Sequence, residues 1–348
     1  MMKQSSIRRP KFHVREIVPP ELLVDRTEEL QAIRDEMLRR KGNVLLVGKR
    51  GMGKTSLVHK AMHEMERERI MCVYIDLTIF FGREVDTFLE EILLRICYKV
   101  GEKIFGKSTS ALLLDLGQER SALKGKYAHF MSIFELARAK ALSQQFGRTA
   151  NVGVNIAGIG ANITGTEERA VALPPLKSFE FINLVEELRE ICRGAKYERI
   201  IVFADEANRL AIQTSSDILQ SYLDVFSSKE IQFLFVTNPE VLLHSPGVAR
   251  AFARTIHLGP FRSIADVKTL LERYYTIESQ QPEIFTPFSE EAIAKIWELS
   301  KGNPFLVQLL CDSALNVAGS RNIVTSDDVI KAWLIELNHQ PSLAEYLE

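Results

Sequence analysis

Eight residues, Gly48-Lys-Arg-Gly-Met-Gly-Lys54-Thr55, have the GxxxxGK[ST] spacing that holds phosphate. Glycines at 48, 51 and 53 let backbone N–H groups close round an anion without a Cβ clash. Lys54 can neutralise the β- and γ-oxygens of a nucleoside triphosphate, and the Thr55 hydroxyl can ligate Mg²⁺. With Lys49, Arg50, Met52 and Ser56 they make the expected nucleotide-binding segment. The alternative is a glycine turn that spells the motif by chance. Its flanks oppose that reading, because Val44–Val47 reads as a strand before it and Lys54–Arg67 as a helix after it.

A second constellation follows Ile200–Ala204, an apolar run that ends in Asp205-Glu206. A strand of this kind delivers its acids to the carboxyl edge of a parallel sheet, where ligands bind. Asp205 is expected to hold Mg²⁺ through water, and Glu206 to orient and polarise the attacking water. Asn238, directly after Ile231–Thr237, can hydrogen-bond that water or the γ-phosphate, with Thr237 as substitute. The plainer reading of Asn238 is a turn residue in Asn-Pro. Arg250 and Arg254 offer an arginine finger for a neighbouring subunit, or else two ordinary helix-surface arginines spaced i, i+4.

These residues need a scaffold. Val44–Val47, Ile70–Leu77, Ile200–Ala204, Ile231–Thr237 and Arg254–Leu258 read as strands alternating with helical segments, which predicts a parallel sheet covered on both faces. The long stretch from Thr78 to Arg199 exceeds one crossover. Helical spacing marks Asp86–Val100 and Phe179–Cys192, with an insertion over about 106–175 between them. Within it, the alternating segment 151–164 predicts a β-hairpin, apolar enough to need cover from the insertion's helices or a neighbouring subunit. After Gly259-Pro260 the pattern is wholly helical. Ser289 and Thr325 are expected N-caps, Gly302 a helix end, and Pro304 a first-turn residue. The fold expected is α/β: a P-loop NTPase three-layer core over 21–260, the hairpin-bearing insertion, and a C-terminal helical lid over 261–348.

Composition narrows the setting. A net charge of −1 provides no global field for nucleic acid or membrane. Residues 1–20 form a basic tail with Lys3, Arg8, Arg9, Lys11 and Arg15, read as solvated rather than bound to an anionic partner. Four scattered cysteines with no CxxC pair read as buried thiols, so a cytoplasmic location is expected. No signal peptide and no run of the roughly 20 apolar residues a membrane helix needs is found.

On these motifs the chain resembles the AAA+ and STAND-type P-loop ATPases. It is most similar to origin-recognition-like and related mobile-element or secretion ATPases. The likeness rests on Leu22-Leu-Val-Asp-Arg-Thr-Glu-Glu-Leu30, GKRGMGKT, IIVFADE, FLFVTN, Gly302-Asn-Pro-Phe305 and Ile323-Val-Thr-Ser-Asp-Asp-Val329. The resemblance implies an adenine pocket at Val24, Asp25 and Arg26, a sensor role for Asn238, and a lid that closes on the nucleotide. It departs in the lid, where Gly302-Asn-Pro-Phe305 replaces an expected arginine, and at Glu348, where no winged helix follows. The function expected is an ATP- and Mg²⁺-dependent ATPase acting as a conformational switch through a protein partner or self-association. The alternatives are a DNA-associated loader or transposition-type ATPase, using basic residues from the tail or Arg120, Lys124, Lys126, Arg138, Lys140 and Arg148, and a small-molecule kinase.

Overall fold

The structure is a computed structural model. It describes residues 10–14, 16–80, 88–116, 123–146, 173–207, 222–239, 252–278 and 286–346. Five strands form one parallel sheet: β1 (Val44–Gly48), β2 (Ile70–Asp76), β3 (Arg199–Asp205), β4 (Ile231–Thr237) and β5 (Arg254–Leu258). Their order is β2-β3-β4-β1-β5. Every strand but the edge strand β5 is buried along nearly its whole length, as apolar runs in a doubly covered sheet must be.

Alternation sends successive side chains to opposite faces. Leu45, Val47, Val73, Val202, Phe233 and Phe235 enter one core. Val44, Leu46, Cys72, Ile201, Phe203 and Leu234 enter the other. The second face is covered by α1 (Thr27–Arg34), continued as a π-helical turn to Arg40, and by α2 (Lys54–Arg67). The first is covered by α3 (Phe88–Phe105), α5 (Gly125–Phe146) and α6 (Ser178–Gly194), with the short α4 (Thr109–Asp115) beside α3.

Helix α5 lies within the stretch read as an insertion, yet Phe130, Met131, Ile133 and Phe134 are buried in the sheet's own core. Its apolar residues are spread round the helix rather than along one stripe, which suits a helix packed on several sides and conceals it from a search for 3.6-residue periodicity. Phe134→Ala is expected to cost about 3–5 kcal/mol of stability. A drop under about 1 kcal/mol in urea unfolding would show that α5 folds apart from the core. The predicted hairpin 151–164 lies outside the described residues.

The C-terminal helices α7 (Ile264–Glu278), α8 (Glu290–Ser300), α9 (Pro304–Ala318) and α10 (Ser326–His339) share a separate core. Ser289 caps α8 by accepting from the Ala292 N–H, and Thr325 with Asp328 forms a capping box on α10. Residues 10–14 and 16–18 depart from the solvated tail. Phe12 is buried and stacks on Tyr274 of α7 at 4.7 Å, and the Val18 N–H donates to Ser56 Oγ at 3.1 Å. The cause is two apolar side chains set among the charges, Phe12 and Val18, which gain more from the lid core than from water. All four cysteines are free and buried, and burial pushes the Cys192 thiol to about 12. Among the described residues, no helix is long and apolar enough to cross a membrane.

Candidate functional site

The parallel register decides what meets at the carboxyl edge. Gly48 pairs with Leu258, Val47 with Thr237, and Asp76 with Asp205, so β1, β2, β3 and β4 all end at the same place. The loop from β1 turns at Gly51 and Gly53, both at φ +81°, and Gly53 caps α2. A Cβ on Gly48 would stand 2.8 Å from the Leu258 carbonyl oxygen, and one on Gly51 would stand 2.8 Å from Asn303 Oδ1. No other residue fits either position. The first N–H groups of α2 have no partner within their own helix, so the loop and the helix start present a row of donors to an anion.

Lys54 Nζ donates to the Gly48 carbonyl at 2.6 Å, the Lys49 carbonyl at 3.0 Å and Asn238 Oδ1 at 3.1 Å. Burial lowers its pKa, the fields of Glu206 and Asp205 oppose that shift, and Arg50 adds to it. Thr55 donates from Oγ1 to Asp205 Oδ2 at 2.6 Å. The two motifs read separately in the sequence are therefore joined by a hydrogen bond. The other carboxylate oxygen, Oδ1, accepts from the Glu206 N–H at 2.8 Å. Glu206 itself stands at φ +57°, a left-handed conformation that a non-glycine residue holds only at a cost.

Three residues at this edge were not expected. Tyr74 donates its hydroxyl to Asp205 Oδ2 at 3.2 Å, and its ring packs against His59 with centroids 4.9 Å apart. Asp76, two residues on and on the same face of β2, also lines the cleft. Burial, then the Asp205 charge, raises the Tyr74 phenol, which stays a donor at neutral pH. Burial lowers the His59 imidazole, with Asp205 opposing. The signal was available, since Tyr-Ile-Asp at a strand's end puts two polar groups on one face.

Above the loop lies a cleft of about 680 Å³, walled by Val18, Leu22 and Val24 from the N-terminal segment and by Phe261, Leu270, Phe305 and Gln308 from the lid side. Arg26 lines it too, but its buried guanidinium is used internally: it donates to the Gly259 carbonyl at 2.8 Å and the Met52 carbonyl at 3.3 Å. It thus ties the expected base pocket to the phosphate loop. Asp25 beside it is at φ +51°, with its carboxyl raised chiefly by burial. The lid reaches the loop directly. The Phe305 N–H donates to the Gly51 carbonyl at 3.2 Å and Asn303 Nδ2 to the Arg50 carbonyl at 3.4 Å.

The arginines fall differently. Arg254 opens β5 opposite Val44, at the amino edge of the sheet and far from this chain's own loop, so it cannot act in cis. Arg250 lies outside the described residues. Of the remaining expected residues, Arg50, Met52, Gly53, Thr55, Ser56, Asp205, Glu206 and Asn238 all line the cleft, while Lys49 is exposed beside it.

The donors fit Mg²⁺. Thr55, Asp205 and Asp76 offer only oxygen, and Mg²⁺ binds through few protein oxygens plus phosphate and water. Among the described residues, no cluster of three or more His, Cys, Asp or Glu could hold a metal ion.

A glycine loop between a buried strand and a helix, with its lysine and its Thr–Asp pair in place, defines a P-loop NTPase. The KAP family P-loop domain matches residues 30–253, nearly two thirds of the chain, and the protein belongs to that family. The chain has no match among curated proteins. It is similar to the Aeropyrum pernix ORC1 protein solved in complex with DNA, with 14% identity, a TM-score of 0.48, and 90% of this chain and 66% of that one covered. It is also similar to the Thermotoga maritima RuvB Holliday junction branch migration motor, with 14% identity, a TM-score of 0.43, and 88% and 67% covered. The chain thus spans about two thirds of the length of these structures.

Proposed function

We propose that this protein binds ATP with Mg²⁺ in the cleft between a core at 21–260 and a lid at 261–348, hydrolyses it, and works as a nucleotide-driven switch. The observation that carries the reading is the 2.6 Å bond from Thr55 to Asp205, which brings the phosphate loop and the acidic strand end together. Val24 and the apolar walls take the base, while the N–H groups of residues 48–56 take the phosphates. Lys54 exchanges its loop carbonyls for β- and γ-oxygens. Thr55 and Asp205 would hold Mg²⁺, which when bound offsets charge on the phosphates. Glu206 orients and polarises water for attack, and Asn238, held by Lys54, marks the γ-phosphate position.

The switch follows from the lid contacts. Asn303 and Phe305 bond the carbonyls of Arg50 and Gly51, so a change in loop geometry is felt at the start of α9. A ligand shifts such an equilibrium by its difference in affinity for the two states. ATP and ADP differ by the γ-phosphate these residues would hold.

Self-association would give Arg254 a role as finger for a neighbouring site. Mg²⁺-dependent phosphate release is expected, with activity per subunit rising with protein concentration and Arg254→Ala removing the rise. No release at any concentration would overturn the ATPase reading. Release independent of concentration would leave Arg254 a strand-end residue and the protein a monomeric switch. The DNA-loader alternative has weaker support. Of its basic residues, Lys140 is buried, donating to the Pro174 carbonyl at 3.1 Å and to Glu180.

A further inference from the structure

Asp205 is held by more than the two motifs require. Its Oδ2 accepts from two hydroxyls, Thr55 at 2.6 Å and Tyr74 at 3.2 Å, while Oδ1 accepts from the Glu206 N–H at 2.8 Å. Thr55 reaches it from α2, Tyr74 from β2 and Glu206 from its own strand end, so the carboxylate is fixed from three directions. The β2–β3 register makes this possible. Tyr74 pairs with Phe203, two residues inside the Asp76–Asp205 pair and on the same face, and the long phenol spans the offset. The ring is itself held by His59, one turn beyond Thr55 on α2, with centroids 4.9 Å apart. A hydroxyl at 3.2 Å on a rigid, packed ring suits holding a carboxylate in one orientation.

We propose that Tyr74 is a positioning residue for magnesium: its hydroxyl locks the Asp205 carboxylate in the orientation that, with Thr55, receives the hydrated ion. This rests on the Mg·ATP reading above. Without the phenol hydroxyl, Oδ2 keeps only the Thr55 bond. Thr55 must then orient Asp205 and serve the metal with the same hydroxyl. Partners that orient metal-binding groups are worth about 10- to 100-fold in metal affinity or activity.

The test is equilibrium binding of a fluorescent ATP analogue to the full chain, with Mg²⁺ and with EDTA. Wild type is expected to bind more tightly with Mg²⁺. In Tyr74→Phe, which keeps the ring and its packing, the Mg²⁺ concentration giving half the tightening is expected to rise by about tenfold. Affinity in EDTA is expected to stay at its wild-type value, with the protein still folded at the assay temperature. In an Asp205→Asn background, Tyr74→Phe is expected to add little, because its effect runs through that carboxylate. An unchanged Mg²⁺ midpoint in Tyr74→Phe, or an equal effect on both backgrounds, would overturn the proposal and leave Tyr74 a packing residue. A wild type whose nucleotide binding ignores Mg²⁺ would instead overturn the reading on which it rests, and the proposal with it.

Discussion

Glu206→Gln is expected to keep ATP binding while losing about 10²- to 10⁴-fold of turnover, the usual worth of a general base. The amide preserves shape and hydrogen-bonding reach but cannot take a proton. Its position supports the assignment. Successive residues on a strand point to opposite faces, so Asp205 and Glu206 would diverge if β3 simply continued. The left-handed turn at Glu206, φ +57°, breaks that alternation, and Glu206 and Asp205 both line the cleft. That conformation costs about 1 kcal/mol or more in a residue with a Cβ, and the Glu206 N–H bond to Asp205 helps hold it. Phosphate release is the measurement, with nucleotide affinity as control. Near-wild-type release would make Glu206 a structural turn residue and move the search for the base to Asp76.

Lys54→Ala is expected to weaken ATP binding by about 10²- to 10⁴-fold. Hydrogen bonds to charged groups contribute about 1.5–3 kcal/mol each. Two such bonds to phosphate, at about 1.4 kcal/mol per decade, give that range. In this structure Lys54 Nζ has three acceptors, all at the mouth of the loop, so its reach toward the phosphates is built in. Calorimetric titration with ATP reads the effect. The loss should be smaller for adenosine, which has no phosphate. Unchanged ATP affinity would sink the site assignment as a whole, and an equal loss for adenosine would mean that the loop had collapsed.

Much of the fold is visible in local residues. Val44–Gly48, Arg199–Asp205 and Ile231–Thr237 are apolar runs bounded by polar or glycine residues, and strands buried on both faces have no other composition. The caps Ser289 and Thr325 are local too, since a cap is made within three residues of its helix. Helix α5 escaped because burial on several sides erases the periodicity that marks a half-exposed helix.

The candidate site divides in the same way. The sequence by itself determined the phosphate loop and the acidic pair, because glycine spacing and a strand-terminal Asp-Glu are contiguous and their geometry follows from the backbone. Only the tertiary structure decided that Tyr74 meets Asp205, that Phe12 and Val18 pack the tail on lid and loop, and that Asn303 bonds the Arg50 carbonyl. It also placed Arg254 at the amino edge of the sheet. Each of these depends on strand order, on register or on how the lid sits on the core. Those are set by contacts between residues tens to hundreds of positions apart, and no local pattern encodes them.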